Sequence, residues 1–384
     1  MIPNRLVHRT ITLLLLLLGT APLAGAQLAV AGGEDESDEV SLEELEALAK
    51  GGAAGFVPRA EMKIDELKRT YGDDFWTFLY DDGETKADPE TPVMPRPYVV
   101  AVERKDNVDI DTLAKEYGEI LGYLYQVFFD NFGALLDLQE IEEPVVVLVY
   151  DSKDSYKKMR EERPDLRLAN EEFMAGYYMP GTGILTQWRQ SNLWEVMFHE
   201  GTHQLVDFAT RKWNVPQGNR SPWFQEGFAD FMGGHQSKLE YSEEEQGFVR
   251  TFELGQFLKH RYSDVQGKTM TGDALSLKDL VHLGFWQFKA AQNSQEANGA
   301  NQRLTGMVYS QGWALCMFLN YYQDGKYLPQ FHDYMRAEVR GEGGGEAFEE
   351  IFYLETDEDW ADFEAEFREF LFTGLRQMGL KNRR

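Results

Sequence analysis

The chain has 384 residues, 43% hydrophobic and 13% aromatic, enough apolar material for one large unit or two lobes and too much for a disordered chain. A formal net charge of −27 repels phosphate backbones and anionic membrane surfaces, so nucleic acid is not an expected partner. The single cysteine, Cys316, excludes an intrachain disulfide, and its place in the apolar run 313–319 marks it as a buried small hydrophobe.

Residues 1–26 combine basic Arg5 and Arg9, an apolar run at 11–18 and the small-residue site Ala24-Gly25-Ala26. This pattern predicts a signal peptide cleaved near Ala26 and a chain exported to the periplasm or beyond. The run is shorter than the about 20 residues a span needs, and no later segment reaches that length without charges, so no stable membrane span is expected after cleavage. Residues 27–59 shift to acidic and small residues, with GGEDESDE and GGAAG around a short helical pattern, and read as an acidic flexible arm.

An N-terminal α/β lobe is expected over residues 60–190. Residues 98–102 read as a strand, and 109–132 as a helix with Ile110, Leu113, Tyr117, Ile120, Leu121, Leu124, Phe128 and Phe132 at three-to-four spacing. The apolar run 145–149 reads as a second strand. Residues 173–179 and 183–187 read as a hairpin turning at Pro180-Gly181-Thr182-Gly183. Strand 183–187 reads either as an ordinary sheet edge or as one that pairs with an extended peptide.

Residues 191–384 read as a mainly helical lobe, with helices at 193–212, 223–232, 244–259, 309–322 and 360–375. In the last, Trp360, Phe363, Phe367, Phe370 and Leu371 form a stripe read as core. Gly341 to Gly345 are flanked by acids and read as a loop rather than a phosphate cradle. The expected class is α+β, a small mixed sheet followed by helices.

His199-Glu200-Gly201-Thr202-His203 matches HExxH within a predicted helix. Spacing of i and i+4 places both imidazoles on one face, able to share a metal, with Glu200 beside the open position as a base. Trp223-Phe224-Gln225-Glu226-Gly227-Phe228-Ala229-Asp230 places Glu226 and Asp230 on one face of a second helix. One of the two can bind the metal while the other accepts the free N–H of a ligating imidazole. A carboxylate among so many aromatics is costly unless paired. A metzincin scheme fails, because Val206 holds the glycine place and no histidine follows before His235. Asp207 as third ligand strains the geometry of one straight helix.

HEGTH followed by WFQEGFAD resembles the gluzincin metallopeptidases, and most closely the peptidase MA-like group of exported bacterial proteins. The resemblance spans about residues 95–375 and implies a zincin-like fold. It also implies Zn2+ on His199, His203 and Glu226, with Glu200 as general base and Asp230 as a partner behind the ligands. Tyr309 resembles the tyrosine that donates to the carbonyl oxygen in aminopeptidase-like members; on residue type alone it serves equally as a core tyrosine. His235, His260, His282 and His332 read as structural. The expected function is that of a zinc peptidase acting on peptides or proteins. A zinc hydrolase of a non-peptide bond and a non-catalytic, zinc-stapled envelope protein remain open.

Overall fold

Valine-rich strands whose side chains alternate between two cores set the centre of the molecule. The computed structural model describes residues 53–72, 75–79, 97–106, 108–162, 176–189, 193–233, 256–294 and 299–374, all within the unit Glu43–Arg384. The expected signal peptide, residues 27–52 of the expected acidic arm, His235 and most of the helix expected at 244–259 lie outside the described residues.

In chain order the first elements are helix α1 (Ala53–Tyr71) and strands β1 (Phe75–Leu79) and β2 (Tyr98–Glu103), then helix α2 (Ile110–Phe128). They are followed by β3 (Val145–Tyr150), α3 (Lys153–Glu162), β4 (Gly176–Met179) and β5 (Ile184–Trp188). The sheet order is β1-β2-β3-β5-β4. β2, β3 and β5 run parallel, while β1 and β4 flank them antiparallel. The expectation of an edge at 183–187 is therefore corrected. β5 lies inside the sheet, because its residues continue the parallel ladder from β3 (Val146 opposite Ile184), and among the described residues the edge at this side is β4.

Val100, Val102, Val145, Val147 and Val149 face the larger core with α2, whereas Val99, Ala101, Val146, Leu148 and Tyr150 face a smaller one with Ala60 and Leu67 of α1 and Tyr156 of α3. The period of two is what a sheet covered on both faces requires. Asp109 caps α2 by accepting from the Thr112 N–H at 3.2 Å. A π-turn at Phe129–Gly133 carries the apolar spacing on to buried Phe132.

The helical part comprises α4 (Leu193–Thr210), α5 (Pro222–Gly233), α6 (Gln256–Thr271), α7 (Leu277–Val281), α8 (Phe285–Gln292) and α9 (Ala300–Tyr321). Three more helices follow: α10 (Leu328–Arg340), α11 (Gly345–Phe352) and α12 (Asp357–Glu369). Thr356 and Asp359 form a capping box on α12, and its aromatic stripe is buried as read. The glycine-rich segment links α10 to α11, with Gly341 as a left-handed cap at φ 76°. The class is α+β, mostly helical with one mixed sheet, and the larger core runs without a break from the sheet into the helices. Cys316 is fully buried. Trp223 and Trp313 are fully enclosed, whereas Trp286 on α8 is 73% exposed, its indole lying against Gly218. Among the described residues no helix is long and apolar enough to cross a membrane.

Candidate metal centre

Two features seat α4. A Cβ on Gly201 would lie 2.5 Å from Leu124 Cδ2, so the glycine of HEGTH lets α4 press against α2. Gln204, fully buried, donates through Nε2 to the Val146 carbonyl at 2.9 Å and the Gly183 carbonyl at 3.0 Å. That fixes α4 against the sheet, with Glu200 one turn earlier reaching edge strand β4 and His199 and His203 turned toward Glu226 of α5.

α5 opens with Pro222, suited to a first turn because it lacks the N–H that would go unpaired there. Just ahead, the Ser221 N–H donates to Glu338 Oε2 at 3.0 Å, and buried Glu338 also accepts from the Ser221 and Tyr334 hydroxyls. Trp223 stacks on Tyr334 at 5.4 Å. α5 then crosses α9 in backbone contact, since a Cβ on Gly227 would lie 2.3 Å from the Gly312 carbonyl carbon. That approach brings Glu226 and Asp230 over α4 and Tyr309 to the same place.

His199 Nε2, His203 Nε2 and Glu226 Oε2 form a nearly equilateral triangle of 3.2, 3.3 and 3.3 Å. Ligand bonds of about 2.0 to 2.1 Å at tetrahedral angles place ligand atoms about 3.3 Å apart, so the three donors fit a zinc ion. Among the described residues this is the one group of histidines and acids close enough to share an ion. Burial opposes the charge on Glu226, but hydrogen bonds from His199 and His203 hold its carboxyl well below the usual range.

Asp230, with no exposed surface, sits behind the triangle, its Oδ1 2.7 Å from His199 Nδ1 and its Oδ2 2.7 Å from Arg261 Nε. Glu200 Oε2 accepts the Tyr178 N–H of β4 at 2.8 Å. Burial raises the Glu200 carboxyl above its ordinary value, with His199 and His203 pulling the other way. Tyr309 stacks on the His199 ring, centroids 5.9 Å apart and planes at 28°, and its hydroxyl accepts from Gln292 Nε2 at 3.3 Å. Burial, then the charges of Glu226 and Glu200, keep its phenol protonated far above neutrality.

Asp207 takes no part in the triangle; it accepts from the Tyr178 hydroxyl at 2.6 Å and pairs with Arg211 at 3.3 Å. His282 pairs with Glu349, while His260 is exposed and His332 half-buried. The structure thus gathers the histidines, acids and tyrosine singled out in the sequence. It adds Arg261, Tyr178, Gln204 and Glu338, which no local motif marks; Gln204 alone had a signal, as a polar residue three positions after Gly201 on the sheet-facing side. No family model matches the chain, and no curated protein matches it.

Proposed function

We propose that the protein is an exported zinc peptidase of the gluzincin type, with His199, His203 and Glu226 as metal ligands. The observation that carries this reading is the triangle of three donors at tetrahedral spacing, with the Glu200 carboxylate one helix position from its first ligand. Three protein donors leave a position for a reactant, whereas a structural zinc site closes with a fourth. Zinc bound there supplies Lewis acidity to a water molecule and to a substrate carbonyl.

Glu200 accepts the proton of the attacking water and delivers it to the leaving amine. Its raised carboxyl suits that exchange, because a base works best when its affinity for the proton lies near the working pH. The Tyr178 N–H occupies one carboxylate oxygen and fixes the plane of the group, leaving the other oxygen for the proton. The Tyr309 hydroxyl accepts from Gln292, so its own proton is available to a carbonyl oxygen gaining charge. Asp230 holds the Nδ1 edge of His199, directing Nε2 to the triangle. The order of sheet, edge strand β4, metal helix and acid-bearing second helix supports a zincin-like fold. An edge strand beside Glu200 also suits an extended peptide, which pairs by main-chain hydrogen bonds.

The test is a diverse peptide library digested by the mature protein and read by mass spectrometry, beside Glu200→Gln and His203→Ala. Expected are cleavage by wild type alone, zinc retained in Glu200→Gln and zinc lost in His203→Ala. Equal zinc in wild type and His203→Ala refutes the ligand set. Zinc without cleavage refutes the peptidase and moves the site to another hydrolysis or to a structural role.

A further inference from the structure

We infer that Arg261 is a positioning residue of the metal centre, holding Asp230 and Tyr309 in one frame around the His199 imidazole. The inference rests on His199 being a metal ligand. Four helices meet at this ring: His199 comes from α4, Asp230 from α5, Arg261 from α6 and Tyr309 from α9.

Asp230 hydrogen-bonds His199 through one oxygen at 2.7 Å, and its other oxygen lies 2.7 Å from Arg261 Nε in a buried ion pair. A carboxylate held from one side only can turn about its Cβ–Cγ bond, whereas partners on both oxygens fix its plane and hence the line along which it accepts from the imidazole. The same guanidinium lies 4.4 Å over the Tyr309 ring, whose face covers His199. One cation therefore reaches both groups that define the ring, the acid at its edge and the phenol on its face.

The Arg261 side chain is 14% exposed. Burial of a guanidinium is costly without partners, and here the partners are a carboxylate with no exposed surface and a π-face. The pairing also offsets the charge of Asp230 close to Glu226 and Glu200. Lysine can supply the charge but not the plane that pairs with Asp230 and lies on Tyr309 together.

The experiment measures the zinc dissociation constant of the full chain by chelator competition, and the visible spectrum of the cobalt form. Wild type, His203→Ala, Arg261→Ala, Arg261→Lys, Asp230→Ala and the Arg261→Ala/Asp230→Ala pair are compared. Arg261→Ala should weaken zinc binding about tenfold to a hundredfold. Adding it to Asp230→Ala should cost much less than Arg261→Ala does alone, because the aspartate route is already lost and only the hold on Tyr309 remains. Arg261→Lys should restore part of the affinity and shift the cobalt spectrum, and it carries the test should the alanine variant fail to fold. Zinc constants of Arg261→Ala and Arg261→Lys within twofold of wild type, or losses that add in full with Asp230→Ala, overturn the inference. Zinc lost in His203→Ala but kept in the Arg261 variants would leave the ligand set standing and remove Arg261 alone. Equal zinc in wild type and His203→Ala would remove both.

Discussion

Gly227→Ala is the sharpest probe of how the fold places the proposed ligands. The new Cβ would sit 2.3 Å from the Gly312 carbonyl carbon and 2.5 Å from its oxygen. Carbon atoms in contact prefer about 3.5 Å, so α5 and α9 must part locally by about 1 Å. No rotamer relieves the clash, because the atoms met are backbone. Overpacking of this kind costs about 3 kcal/mol, and alanine returns about 1 kcal/mol in helix propensity, leaving a net loss of about 2 kcal/mol. Glu226 is the preceding residue, and a metal site tolerates about 0.2 Å of ligand displacement, so zinc should be lost together with stability. Urea unfolding and zinc content of the purified variant read both effects. Gly201→Ala is the control: its Cβ crowds the Leu124 methyl at 2.5 Å, which can turn away, and otherwise meets Leu185 Cδ1 at an ordinary 3.9 Å, so its cost should be about 1 kcal/mol or less. A Gly227→Ala protein with wild-type stability and full zinc would refute the reasoning.

In the metal-free protein burial opposes charge on the His199 ring, but the Asp230 carboxylate, its hydrogen bond and Glu226 push the ring up to about 10. At neutral pH an entering ion must displace that proton, so zinc affinity should climb about tenfold per pH unit until pH approaches 10, with about one proton released per ion by calorimetry in buffers of different ionisation enthalpy. The sign for folding is opposite. The paired imidazolium stabilises the metal-free chain fully below its unfolded value near 6.5, and that contribution is lost as pH rises toward 10. Tyr178→Phe removes the 2.6 Å bond to Asp207 but leaves the main-chain bond to Glu200. It should lose about 1.5 to 3 kcal/mol in urea unfolding with zinc content unchanged.

Much of this architecture is written locally. The short apolar runs of β2 and β3, the three-to-four spacing of α2 and the paired HEGTH and WFQEGFAD segments each declare an element or a cluster within a few residues. α1 went unread because Gly51, Gly52 and Pro58 mask the spacing of Ala60, Ile64 and Leu67. β1, FWTFL, carries no alternation to identify it. Which strand stands at the edge depends on pairing across the sheet, and the parallel ladder between β3 and β5 cannot be read from either segment. Arg261 meets Asp230 across 31 positions and Tyr309 across 48, and Glu338 reaches Ser221 across 117; such partnerships exist only once the helices are packed.

The tryptophans also divide the molecule optically. Trp223 and Trp313 are sealed in the helical core beneath the site, while Trp286 stands 73% exposed beside Gly218. Buried indoles emit at shorter wavelength and lie beyond the reach of dissolved quenchers, so Trp286, the most exposed indole among the described residues, contributes a red-shifted signal that its replacement by Phe isolates by difference. With a net charge of −27, caesium ions gather at the surface and iodide is driven off, so at low salt caesium should quench this emission more than iodide does. Movement of the segment joining α4 to α5 can then be followed by light, apart from the unfolding of the core.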